Sequence, residues 1–117
     1  MVSRAQARRL ALGLPETTEQ DHHGRPSFRV AGKIFATLWD ADHMNVLLDE
    51  DGILTAVQSA PEACEPFWWG KRLRAVSVNL HRVRPSVLAD LLADAWETKA
   101  PRRLSTAGHD LRGQELA

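Results

Sequence analysis

Three things are scarce in this chain: cysteine, net charge and uninterrupted apolar sequence. Cys64 is the one cysteine among 117 residues, so no internal disulfide can form and nothing marks the chain for an oxidising compartment. The 15 basic and 15 acidic residues cancel. A nucleic-acid binder usually carries a basic excess, so that role requires the charges to be segregated in space. No apolar stretch approaches the ~20 residues needed to span a bilayer, and no membrane partner is expected. Met1 to Leu14 scatters its arginines instead of placing them before an apolar run, which is not the pattern of a signal peptide. The expected location is the cytoplasm.

Catalytic patterns are also missing. No glycine cluster has phosphate-loop or dinucleotide spacing, and there is no G-x-S-x-G elbow. No carboxylate pair reads as an acid/base dyad. Of the two candidate nucleophiles, Cys64 and Ser77, Cys64 lies beside Glu62 and Glu65, whose charges disfavour a thiolate. Asp21-His22-His23 is the only histidine cluster, and His43, His81 and His109 stand at no recognisable ligand spacing. The expectation is a non-enzyme with no catalytic residues, no metal and no cofactor.

What is present is ordinary globular patterning. Ser3 and Gln6 have capping-box spacing, and Ala7, Leu10, Ala11 and Leu14 form one helical stripe that Gly13 and Pro15 end. Residues 15 to 25 are polar and aperiodic, which predicts a loop. Pro26 to Val30 and Lys33 to Trp39 alternate as strands, and a three-residue loop with Gly32 left-handed joins them. That register places Phe28, Ile34, Ala36 and Leu38 on one face. Arg29, Lys33, Phe35, Thr37 and Trp39 fall on the other. His43 to Leu48 offers Met44, Val46 and Leu48 inward. Residues 49 to 60 read as a short helix with acidic residues at its positive end and Ile53, Leu54 and Val57 as its stripe. Pro61 to Gly70 is irregular in pattern and holds Phe67, Trp68 and Trp69. Arg74 to Leu80 alternates clearly around Val76, Val78 and Leu80. Pro85 opens a last helix with Leu88, Leu91, Leu92 and Ala95 inward, and Pro101 stops it.

The order read is helix, three strands, helix, two strands, helix. Grouped helices predict an α+β fold of two layers: an antiparallel sheet with the helices on one face, α-β-β-β-α-β-β-α. Residues 1–104 form a single domain, and 105–117 are expected to be a loosely held C-terminal tail.

Three segments carry a resemblance. Leu14-Pro15-Glu16-Thr17 followed by Gly24-Arg25-Pro26-Ser27-Phe28-Arg29-Val30-Ala31-Gly32-Lys33-Ile34-Phe35-Ala36 resembles the opening of the MmcQ/YjbR family. Trp69-Gly70-Lys71 with Val76-Ser77-Val78-Asn79-Leu80 is similar to a second family segment, and Ala95-Trp96 through Pro101 to Leu104 is similar to a helix end in one branch. Leu73 departs from the pattern, standing where the family often has glycine. The resemblance covers residues 7 to 104. It implies the same element order and a DNA-binding role, a label that draws on likeness to a double-wing fold and so on fold analogy.

Charge placement supplies the candidate site. Lys71, Arg72, Arg74, Arg82 and Arg84 fall in one stretch without an acid, while Asp40, Asp42, Asp49, Glu50 and Asp51 cluster elsewhere. Lys71, Arg72 and Arg74 flank a turn where phosphates can be gripped, and Arg29 and Lys33 can extend the patch. Trp68 and Trp69 either stack on unpaired bases beside it or fill the core. The second sheet face, with its aromatics, either meets a partner or lies under loops or the C-terminal tail. DNA is the first partner to expect. A homodimer through that face is the alternative, and a small-ligand pocket lined by Trp68 and Trp69 a third.

Overall fold

The computed structural model describes residues 1–104 of the chain. The expected tail at 105–117 lies outside the described residues. The elements run α1 (Arg4–Leu12), β1 (Thr17–His22), β2 (Arg25–Val30), β3 (Lys33–Leu38), β4 (His43–Val46), α2 (Glu50–Ser59), β5 (Cys64–Trp69), β6 (Arg72–Asn79) and α3 (Pro85–Lys99). This is the expected α+β order with one addition. Residues 17–22, read as loop, form the edge strand β1, which pairs antiparallel with β2.

All six strands join one antiparallel sheet in the order β1-β2-β3-β4-β6-β5. β5 occupies the segment read as irregular. Pro66 is tolerated there because β5 is an edge strand, where a missing N–H breaks no ladder. The hairpin β1–β2 turns through His23 and Gly24, and β2–β3 through Ala31 and Gly32, all at positive φ. Both are two-residue turns of the kind that matches strand twist. The β2–β3 loop is therefore two residues long, against the three expected.

A bulge follows it. Arg29 pairs with Ile34 but Phe28 pairs with Ala36, so Phe35 is the extra residue in β3. Phe35 and Ala36 both enter the core, and Phe35 is fully buried. The expected placement of Phe35 on the outer face and Ile34 on the inner one is thereby corrected, while Ala36 and Leu38 stand as expected.

One core lies between the sheet and the helices. Phe28, Met44, Val46, Val76 and Val78 from the sheet meet Leu88, Leu91, Leu92, Ala95 and Trp96 of α3. α3 lies against β3 and β4, α2 against β5 and β6, and α1 against α3 and β1. Ser3 caps α1 by accepting from Gln6 N at 3.0 Å, and Asp49 caps α2 by accepting from Gly52 N at 2.7 Å. In α2 the buried residues are Ile53 and Ala56; Leu54 of the expected stripe is exposed. Trp96 Nε1 donates to Pro15 O at 3.0 Å, tying α3 to the chain that leads into β1. No described helix is long and apolar enough to cross a membrane.

Candidate functional site

The β5–β6 hairpin carries the basic turn. Trp69 pairs with Arg72 across Gly70 and Lys71, and Gly70 takes φ 62°, as the first central position of a tight hairpin turn demands. A second bulge lies just inside: Phe67 pairs with Ala75 and Trp68 with Leu73, leaving Arg74 as the extra residue. Leu73, where a glycine was the family habit, packs against the core edge without disturbing the turn.

Lys71, Arg72 and Arg74 are all exposed. Lys99, from the end of α3, borders the same depression as these three, a neighbour no sequence pattern announced. Asp49 and Glu50 at the start of α2 border it too and temper its positive charge. Arg82 and Arg84 do not join the patch. They follow the far end of the eight-residue β6, roughly 25 Å along the strand from its start.

Arg29 and Lys33 lie toward the same end of the sheet as the basic turn. In register, moving along β3 from Ala36 to Lys33 runs past Val46 on β4 and toward Arg72 on β6. Lys33 is exposed at the β2–β3 turn. Arg29 is half-buried and its Nε donates to Ser27 Oγ at 3.1 Å, so part of its donor capacity is spent inside the fold.

Trp68 and Trp69 are 55% and 65% exposed, so they do not fill the core. Being consecutive in a strand, they point to opposite faces. Trp68 borders the basic depression on the helix side, while Trp69 borders a cavity on the open side of the sheet. The idea of one pocket lined by both is thereby corrected.

That open side is concave. Its cavity, of about 440 Å³, draws its walls from the β1–β2 turn, β3, the end of β4 and the β5–β6 hairpin. Trp39 and Phe67 form its floor edge to face, with ring centroids 5.1 Å apart. The Arg25 guanidinium stacks on Trp39 at 3.9 Å and its Nε donates to Trp39 O at 2.8 Å. Arg74 and Trp69 stand at the side of the basic turn, and His22 and His23 at the opposite rim. His22 and His23 meet edge to face at 4.4 Å. No group of three or more metal-ligating side chains occurs among the described residues.

Sequence reasoning missed this cavity because its walls come from all six strands of the sheet. The one legible signal was the alternation that set Trp39 opposite the core.

Residues 12–98 match the family model described as YjbR. No curated protein matches the chain. Among solved structures, the crystal structure of Deinococcus radiodurans protein DR2400, which carries a DUF419 family-model domain, is similar. Its TM-score is 0.69 at 18% identity, over 84% of this chain and 78% of that one. At that identity the likeness concerns the fold.

Proposed function

The chain belongs to the YjbR family, and with that premise we propose that it is a cytoplasmic nucleic-acid-binding module, acting on DNA, whose contact is the β5–β6 hairpin. Lys71, Arg72 and Arg74 hold backbone phosphates, Lys33 and the free donors of Arg29 extend the contact, and the two tryptophans stack on unpaired bases. The exposure of Trp68 and Trp69 carries this reading. Two large apolar rings kept in water beside three cations are a standing cost unless a partner covers them. Base stacking of this kind contributes about 1–3 kcal/mol per base. Zero net charge is compatible because four of the cations, Lys71, Arg72, Arg74 and Lys99, border one depression.

Fluorescence anisotropy with short labelled single-stranded and duplex DNA tests it. Neutralising three phosphates should give a slope of log K against log salt of roughly −2 to −3. Lys71, Arg72 and Arg74 changed together to Ala should weaken binding and flatten the slope. Absence of binding at low salt would sink the proposal.

A second reading has its own support. Trp39, Phe67 and Trp69 sit on a sheet face that the described helices leave open. Two such faces can meet in a homodimer, which would depend on protein concentration and hardly on salt.

A further inference from the structure

Among the described residues, one buried side-chain polar atom has no partner. Asn45 is 4% exposed, and its Oδ1 makes no hydrogen bond. Such an atom costs about 1–3 kcal/mol if nothing meets it. Its position on β4 aims it outward from the core: Asn45 pairs with Thr37 on one side and Ser77 on the other, and both Asn45 and Thr37 line the open-face cavity.

The cavity's other features define what would meet it. Trp39, Phe67 and Trp69 offer flat apolar surfaces. Arg25 and Arg74 are positive, and no carboxylate lines the wall. Arg25 is already stacked and bonded to Trp39, which leaves the exposed Arg74 as the free cation of the pair at the mouth. The volume, about 440 Å³, lies within the roughly 300–1,000 Å³ of small-ligand sites. The complement is a flat ring that donates an N–H at depth and carries an anionic group at the entrance.

We propose that this cavity receives a single nucleobase, its edge N–H donated to Asn45 Oδ1 and its phosphate at Arg74. This rests on the nucleic-acid reading above and names what that hairpin delivers. Trp69 and Arg74 belong to the hairpin and to the cavity wall at once, so a strand held at the turn can place one unpaired base on the open face. A free nucleotide has the same chemistry.

The test is an NMR titration of the isotope-labelled protein, watching the Asn45 side-chain amide and the Trp39 and Trp69 indole signals. The probes are the four nucleoside 5′-monophosphates, inorganic phosphate and a short single-stranded oligonucleotide. The expected result is a saturable shift of all three signals with at least one monophosphate and with the oligonucleotide, but not with phosphate. Asn45→Leu, close in size, should weaken monophosphate binding about tenfold. Trp69→Ala, at an exposed position that leaves the fold intact, should do the same. Silent cavity signals while the oligonucleotide shifts the Lys71 and Arg72 amides would overturn the cavity assignment and leave the strand reading standing. Monophosphate shifts without oligonucleotide binding would support the cavity and overturn the strand reading. Monophosphate affinity unchanged in Asn45→Leu would overturn the assignment to Asn45.

Discussion

At Cys64 two influences act in one direction. Burial raises the thiol above its ordinary pKa, and the Glu62 charge adds to this. The side chain is 1% exposed within the core cluster. The thiolate is the reactive form, so the native thiol should resist alkylation. Iodoacetamide at pH 8 should label the native protein far more slowly than the protein in denaturant, because the native thiol is buried and its thiolate fraction is lower. Rapid native labelling would contradict this. Ile34 and Phe35 teach a different lesson at the same scale. Alternation assigned them opposite faces from those they occupy, because one extra residue in β3 reverses the sense of everything on one side of it. The bulge is what lets a fully buried Phe35 add its ring to the core and sends Ile34 to the cavity wall.

Among the elements, α3 holds the molecule together through both apolar and polar contacts. Leu88, Leu92 and Ala95 are buried against the sheet, and Trp96 reaches Pro15 O. Trp96→Phe keeps most of the ring but leaves that carbonyl unmet, and should cost about 1–3 kcal/mol by urea denaturation. Leu92→Ala should cost about 2–5 kcal/mol, because it leaves a cavity as well as losing transfer energy. If Trp96→Phe proved neutral, the hydrogen bond would contribute nothing to joining α3 to the start of β1. The strands differ in how far pattern revealed them. β6 and β4 were legible because each alternates against a buried face. β1, with its sequence Thr-Thr-Glu-Gln-Asp-His, is polar throughout and mostly exposed. Its pairing with β2 supplies what its side chains do not, and Ser27 Oγ donating to Gln20 O at 2.7 Å reinforces it. β5 was hidden by Pro66 and by two tryptophans that face water.

For the whole molecule, charge balance and charge placement point to different partners. The zero sum argues against a diffuse attraction to polyanions, while Lys71, Arg72, Arg74 and Lys99 gather around one depression. With nucleic acid as the partner, sedimentation of the free protein should give the single-chain mass across a wide concentration range. A mass that doubles with concentration, is insensitive to salt, and returns to one chain in Trp69→Lys would instead identify the open sheet face as a homodimer surface.

The sequence by itself determined the class and order of elements, the three helices with the Ser3 cap of the first, and the buried faces of β4, β6 and α3. These depend on local periodicity and on side chains within one or two turns of each other. It also determined that Lys71, Arg72 and Arg74 would flank a turn, since Gly70 permits the positive φ that turn needs. Tertiary structure alone decided the rest. It turned a polar segment into β1 through a neighbour's backbone, placed Lys99 beside the basic turn, and split Trp68 from Trp69 onto opposite faces. It also assembled Trp39, Asn45, Phe67 and Arg74 around one cavity. Those outcomes follow from strand order, bulges and sheet curvature, which are set by long-range pairing and leave no mark on any short window of sequence.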